Sequence, residues 1–420
     1  MARILFTTFG SFGDLYPYLA LGVALRNRGH QAAIATSAVY RARVEAEGLA
    51  FHPVRPDVSL DDRVLLEYVF DARRGSERVL RFMASAVRES YEDTLQAAGH
   101  ADVVVTHPIT YAAVLAAQKL RKPWISSVLA PISFLSACDP PVPAAAPWLV
   151  RLRILGPGFM KVLWDLARRQ VLGWLDPLLD FRNEIGLGPA PHPAFEGAHS
   201  PSLVLALFSR YLAEPQPDWP RQTVVTGFPF YDREHDRGEV APELVRFLDD
   251  GPAPAVFTLG SSAVGAAGKF YLHSLDAVER LGLRAIFLTG RHPQGLPEVL
   301  PPGTIAVPYA PHAAVFPRAA AIVHQGGIGT TGQAMRSGRP MLVVPFSHDQ
   351  FDNGARVRRL GAGEVVYRTR YDARSAARSL RSLVENAAYA RAAAALGEKV
   401  RSEDGCAATA DAVEAMIGRR

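Results

Sequence analysis

The sequence predicts an α/β protein built from two parallel-sheet domains. At 420 residues the chain is too long for one ordinary hydrophobic core, so two domains of about 200 residues each are expected. Short apolar runs ending in glycine-bearing or polar turns, each followed by helix-spaced apolar positions, recur along it. These units form two series, separated by a stretch rich in turn formers and charge from Trp219 through Arg237, where the domain linker is placed.

Ile4 to Thr8 reads as a buried parallel strand feeding the turn Phe9-Gly10-Ser11-Phe12-Gly13. A helix is predicted from Pro17 to Arg28, closed by Gly29 as a C-cap, and Gln31 to Thr36 completes a βαβ unit. The pattern repeats with the strand Asp102 to Thr106, the helix Tyr111 to Lys119 and the strand Trp124 to Leu129. A Pro-rich stretch from Pro140 to Pro147 then leads into Trp148 to Leu179, where apolar and Arg positions at helical spacing predict one or two helices outside the sheet. In the second series the strands are Ala255 to Leu259, Arg284 to Leu288, Ala320 to Val323 and Pro340 to Val344.

Composition narrows the function. Hydrophobic residues at 49% against charged residues at 21% give a globular balance, so order is expected almost throughout. The 46 Lys and Arg exceed the 41 Asp and Glu by only five and form no basic run, which argues against a nucleic-acid partner. Cys138 and Cys406 offer neither a disulfide framework nor metal-ligand spacing, so a reducing cytoplasm is the expected location. No apolar run approaches the roughly 20 residues of a membrane span, and the N-terminus reaches turn residues before a signal-peptide apolar region is complete.

The most informative segment is His324-Gln325-Gly326-Gly327-Ile328-Gly329-Thr330-Thr331, which follows the strand Ala320 to Val323 and opens the helix Gly332 to Arg336. Its glycines let backbone N–H groups approach a diphosphate, and the helix N-terminus adds positive potential. His324, Thr330 and Thr331 supply further donors. Downstream, after the strand Met341 to Pro345, Asp349 and Gln350 stand at a carboxyl end where doubly wound folds bind ligands. A carboxylate and an amide suit sugar hydroxyls. The alternatives are an unliganded glycine turn for the first segment and a solvated loop or helix cap for the second.

With these residues in view, the run from Tyr309-Ala310-Pro311-His312 to Asn353 resembles the donor-binding signature of the family 1 glycosyltransferases. The resemblance covers nearly the whole chain and looks closest to bacterial rhamnosyltransferase-like members, with macrolide and sterol glycosyltransferases more distant. It implies a GT-B fold, two Rossmann-like domains facing each other across a cleft: 1–225 for the acceptor, 240–398 for the donor, and 399–420 as a C-terminal helix packing back on the first domain. It also implies an inverting, metal-independent transfer from a UDP- or dTDP-linked sugar, without a further cofactor. His324 and the backbone of Gly326, Gly327, Gly329 and Thr330 would hold the diphosphate, with Ser261 reaching it from the first strand turn of that domain. Tyr309 and His312 would flank the base, and Asp349 with Gln350 would hold the sugar. The apolar content of Pro140 to Leu179 and Phe51 to Phe82 suggests a lipid, polyketide, sterol or phenolic acceptor, and Trp148 to Leu179 is the expected point of any membrane contact.

Family members commonly place a histidine three positions before the first-turn proline and orient it with an aspartate after a later strand. Here the pair is exchanged: Asp14 precedes Pro17 and His107 ends the Asp102 to Thr106 strand. A carboxylate within reach of the acceptor hydroxyl can take its proton, with His107 as its partner. The structural alternative makes Asp14 an N-cap of the helix beginning near Tyr16 or Pro17 and His107 a polar residue at a strand end. A nicotinamide-dependent oxidoreductase fits poorly, because Gly10 and Gly13 do not make Gly-x-Gly-x-x-Gly and the strand to Thr36 lacks a terminal acidic residue. A nucleotide-sugar epimerase of the same architecture and a non-catalytic sugar-nucleotide-binding module are the remaining alternatives.

Overall fold

The computed structural model of the chain describes residues 1–58, 63–232, 240–290 and 295–419. The part of the expected linker at 233–237 lies outside them. The chain divides into two compact units, Met1–Asp62 with Arg73–Tyr231 and Asp404–Arg420, and Arg63–Ala72 with Asp232–Glu403.

The first unit holds seven parallel strands: β1 (Arg3–Thr7), β2 (Gln31–Thr36), β3 (Ala50–Pro53), β4 (Val103–Thr106), β5 (Trp124–Val128), β6 (Val204–Ala206) and β7 (Thr223–Val225). Their order is β3-β2-β1-β4-β5-β6-β7. The central strands are buried on both faces, as Leu5, Phe6, Val104 and Ile125 show, and this is why they read as continuous apolar runs. The chain leaves β1 toward one edge and returns at β4 to build toward the other, so the strand order reverses between β1 and β4.

The first helix spans Phe12–Asn27, so it starts ahead of the predicted Pro17. Ser11 is its N-cap, accepting from the Gly13 N–H, and Asp14 closes a capping box from the third helical position. Asp14 therefore stands inside the helix rather than capping it, and Pro17 sits in the second turn instead of at the favoured first position. The last helix, Gly405–Gly418, also belongs to this unit. Thr409, Ala410 and Val413 are fully buried, and Arg28 Nη1 reaches Asp411 at 2.5 Å and Glu414 at 3.0 Å. Such exposed ion pairs hold little, so the buried face does most of the fastening.

The second unit holds six parallel strands: β8 (Ala255–Thr258), β9 (Ala285–Leu288), β10 (Thr304–Val307), β11 (Ala321–His324), β12 (Met341–Val343) and β13 (Gly363–Val365). Their order is β10-β9-β8-β11-β12-β13, with the reversal between β8 and β11. The sequence places residues 63–72 in the first domain, but Arg63–Ala72 groups with the second. The reason is apolar burial: Leu66 and Phe70 join a core with Phe257, Phe270 and Phe346. Leu66 seats against Gly265, where an added Cβ would stand 2.5 Å from its Cδ1.

Candidate functional site

In open parallel sheets, ligands bind beyond the carboxyl ends of the strands where the order reverses. The two reversals bring together, in each unit, the residues singled out from the sequence.

In the first unit the reversal lies between β1 and β4, which are followed by Asp14 and His107 respectively. Asp14 Oδ1 is 3.2 Å from His107 Nε2. The other carboxylate oxygen, Oδ2, accepts from the Ser11 N–H at 2.7 Å and the Ser11 hydroxyl at 3.1 Å. Gly10, at φ +129°, permits this curl; a Cβ there would lie 2.4 Å from Asp14 Oδ2. His107 Nδ1 accepts from the Ile109 N–H at 3.3 Å. A backbone N–H can only donate, so Nδ1 carries no proton, Nε2 carries it, and Nε2–H donates to Asp14. Both histidine nitrogens are thereby engaged. The lone pairs still open to an incoming hydroxyl belong to Asp14, whose side chain is 33% exposed against 6% for His107. Burial pushes the Asp14 carboxyl up, but the His107 and Ser11 donors outweigh it and hold the group below the usual carboxylate range.

A small pocket lined by Thr8, Phe9, Arg55, Met83, Thr110 and Tyr111, among others, lies near the pair, though neither Asp14 nor His107 lines it. Thr8 donates to the Asp14 carbonyl at 2.8 Å, and Thr110 accepts from the His107 N–H at 3.0 Å.

In the second unit the reversal lies between β8 and β11. Strand β11 runs one residue further than predicted, so His324 is its last member, paired in register with Thr258 and Val343. The following helix, Ile328–Ser337, starts earlier than predicted, with Gly327 as an N-cap that makes no side-chain cap. Gly329 and Thr330 thus lie in its first turn, where backbone N–H groups have no intrahelical acceptor. Gly326 adopts φ +90°, and a Cβ on it would meet Val343 at 2.7 Å and the Gln350 carbonyl at 2.9 Å. After β8, the turn at Gly260-Ser261 abuts the same place: a Cβ on Gly260 would stand 2.5 Å from Gln325 Nε2 and 3.5 Å from Thr330 Oγ1.

His324 is fully buried, and its Nδ1 accepts from the Gly326 N–H at 3.1 Å. Its proton therefore sits on Nε2, which is buried without a hydrogen-bond partner among the described residues, as are Gln325 Oε1 and Thr331 Oγ1. A buried donor left unpaired costs about 1–3 kcal/mol, so the orphaned Nε2–H makes this turn a candidate site for an acceptor on a ligand. Burial, reinforced by the nearby His312, pushes His324 down to about 3. Burial alone takes His312 down to about 4. His312 opens the short helix His312–Val315 beyond β10 and stacks on Phe316 at 4.3 Å, whereas Tyr309 is 58% exposed.

Asp349 precedes the helix Gln350–Arg359, and its Oδ2 accepts from Asn353 Nδ2 at 2.7 Å. Gln350 is buried, and its Oε1 accepts from the N–H groups of Phe346 and Ser347 at 2.8 and 3.1 Å. Its carbonyl is thus committed to the loop, leaving only its amide N–H groups for a ligand. The brace that sequence reasoning overlooked is Asn353, which also donates to the Gly326 carbonyl at 2.9 Å and ties the glycine-rich turn to Asp349. It stood in the motif already singled out, but only the fold shows what it joins.

The two depressed histidines have a testable consequence. An unfolded histidine takes up its proton near pH 6.5, whereas His324 and His312 stay neutral in the fold to about 3 and about 4. The unfolded state therefore binds more protons below that pH, and the stability these groups contribute is full above it and lost as pH falls toward their folded values. Chemical denaturation should show stability falling below about pH 6.5 by roughly 1.4 kcal/mol per pH unit for each fully neutral histidine. A His324→Gln variant should show a shallower decline, and an identical slope would contradict the assignment.

The fold is a two-unit α/β protein with a glycine-rich strand-to-helix turn at the reversal of one sheet and a hydrogen-bonded Asp14–His107 pair at the reversal of the other. Residues 4–126 match the Glycosyltransferase family 28 N-terminal domain, and residues 274–416 match the Erythromycin biosynthesis protein CIII-like, C-terminal domain. The O-mycaminosyltylonolide 6-deoxyallosyltransferase of Streptomyces fradiae is 34% identical over 415 residues, covering 96% of this chain and 94% of that protein. The sterol 3-beta-glucosyltransferase of Leptosphaeria maculans is 28% identical over 420 residues, covering 95% of this chain but only 28% of the longer enzyme. The crystal structure of the glycosyltransferase VinC in complex with dTDP superimposes with a TM-score of 0.70 at 21% identity, covering 99% of each chain, a likeness of fold. The chain belongs to the family 1 glycosyltransferases of GT-B fold.

Proposed function

We propose that this glycosyltransferase moves a sugar from a UDP- or dTDP-linked donor, a 6-deoxyhexose such as rhamnose among the candidates, to a hydroxyl of an apolar small molecule, with inversion at the anomeric carbon. The observation that carries the reading is the polarity of the Asp14–His107 hydrogen bond, which leaves the carboxylate as the group able to accept a proton. The acceptor O–H gives its proton to Asp14 while the oxygen forms a bond to the anomeric carbon. The bond from that carbon to the phosphate oxygen breaks, and the nucleoside diphosphate leaves with the electron pair. His324 Nε2–H and the first-turn N–H groups of Ile328–Ser337 receive the developing charge as preorganised donors. These donors support a reaction that needs no metal and no cofactor beyond the nucleotide sugar.

The apolar content of Phe51 to Phe82 and Pro140 to Leu179 supports an apolar acceptor. The relatives named for a macrolide and for sterols point the same way. Such acceptors partition into lipid, so peripheral contact with a membrane surface is part of the proposal. Among the described residues, no helix is long and apolar enough to cross a membrane. Cys138 and Cys406 form no disulfide, which supports a cytoplasmic location. The test is product analysis with UDP- and dTDP-sugars labelled in the sugar, screened by mass spectrometry against polyketide, sterol, lipid and phenolic alcohols. Inverted glycoside formation is expected; an epimerised nucleotide sugar, or binding without turnover, would overturn the proposal.

A further inference from the structure

The helix Gly156–Val171 carries two apolar stripes, and the fold uses only one. Met160 and Trp164 face inward, 0% and 7% exposed, and Trp164 donates to the Ser136 carbonyl at 3.2 Å. Arg168 fixes the helix further by pairing with Glu196 at 2.5 Å. The second stripe, Leu155, Phe159, Val162 and Leu166, recurs at steps of four, three and four residues and so lies along one side of the helix. These side chains stand in solvent at 55%, 43%, 68% and 58%. Ile154 and Trp148 in the preceding turns, Pro147–Leu155, are 85% and 61% exposed. A monomer rarely leaves so continuous an apolar strip open to water without a use for it.

Charge identifies what covers it. Arg151, Arg153, Lys161 and Arg169 flank the strip, all exposed and, among the described residues, without an ion pair, while Asp165 is the one acidic residue between Trp148 and Leu172. An exposed apolar stripe with Trp and Phe, rimmed by unpaired cations, has the chemistry of a helix lying in the plane of an anionic bilayer. We infer that this face docks the enzyme on anionic lipid, with Phe159, Val162 and Leu166 in the acyl boundary and Lys161 and Arg169 at the headgroups. This deepens the proposal that the acceptor is apolar and delivered from lipid, by naming the surface that meets the membrane.

The test is flotation of the full chain with vesicles of equal parts phosphatidylcholine and phosphatidylglycerol, in parallel with phosphatidylcholine alone, at low and high salt. It uses no sugar donor, so its result is independent of whether the transfer reaction is assigned correctly. The wild type should float with the anionic vesicles at low salt and much less with the neutral ones. Lys161→Ala with Arg169→Ala should weaken binding by roughly twentyfold. Val162→Glu with Leu166→Glu should abolish it, while the melting temperature stays nearly unchanged because both side chains are more than half exposed. Absence of co-flotation, or co-flotation indifferent to both double variants, would overturn the inference. So would a wild-type dimer that the glutamate variant converts to monomer in sedimentation, since that gives the face to a second copy.

Discussion

Replacement of Asp14 by Asn should lower turnover by about a hundredfold or more at saturating donor and acceptor, with UDP or dTDP affinity nearly unchanged. Asn is close in size and keeps an oxygen for the Ser11 N–H and hydroxyl, so the capping box at the start of Phe12–Asn27 can persist. What it loses is the proton acceptor. With its oxygen turned to Ser11, its NH2 faces His107 Nε2–H, donor against donor, because the Ile109 N–H already holds Nδ1. The resulting conflict should cost about 1–3 kcal/mol of stability, measurable by denaturation and separable from the far larger loss of turnover. Wild-type turnover in a folded Asp14→Asn enzyme would reduce this residue to a structural brace.

The pH profile of the wild type separates the partners further. The donors around Asp14 keep its carboxyl below the usual range, so it is already ionised well under neutral pH. The acid limb of kcat/KM should therefore fall below the ordinary carboxylate pKa of about 3.9. An acid limb near pH 6.5 would instead report a histidine as the base.

How much of this was legible before the fold was known depended on burial. The strands identified from sequence are those whose residues face cover on both sides, such as Ala255–Thr258 and Ala285–Leu288. Four of the overlooked strands, β3, β7, β10 and β13, are the edges of the two sheets, half exposed and only three or four residues long. Their sequences mix polar residues or Pro53 with apolar ones, as edge strands do, and so lack a continuous run. Strand β6, Val204–Ala206, is interior and lies in the apolar run Leu203 to Phe208, which carries the same signal as the identified strands and was overlooked.

The site divides along a similar line. Asp14 and the His324 turn stood out because glycine turns at strand ends announce where a sheet can bind a ligand, whereas His107 stood out only through the family resemblance, and the fold brings it against Asp14. The direction of the protons was not, since it depends on the Ile109 and Gly326 N–H groups meeting particular ring nitrogens. Nor was the commitment of the Gln350 carbonyl, which follows from how the loop at Phe346 and Ser347 folds over it. The grouping of Arg63–Ala72 with the second unit was hidden as well, because the apolar residues Leu66 and Phe70 carry no mark of which core receives them.

The same proton assignment sets the second large effect. His324→Ala should weaken UDP or dTDP binding by roughly tenfold to a hundredfold, the loss expected when a hydrogen bond to a charged group worth about 1.5–3 kcal/mol is removed. His324→Gln returns an N–H donor to a buried position of similar size and should recover part of the affinity, which separates lost phosphate contact from a collapsed turn. Gly326→Ala gives the collapsed-turn comparison, since its Cβ would press on Val343 and on the Gln350 carbonyl. Because burial keeps His324 neutral down to about 3, it donates as an imidazole N–H and contributes no net charge. The ratio of wild-type to His324→Ala affinity, in which the ionisation of the nucleotide itself cancels, should therefore stay constant between about pH 5 and 8. Calorimetric titrations across that range decide the point. A ratio that widens as pH falls would mean that an imidazolium binds the phosphate, and equal affinities at every pH would remove His324 from the donor site.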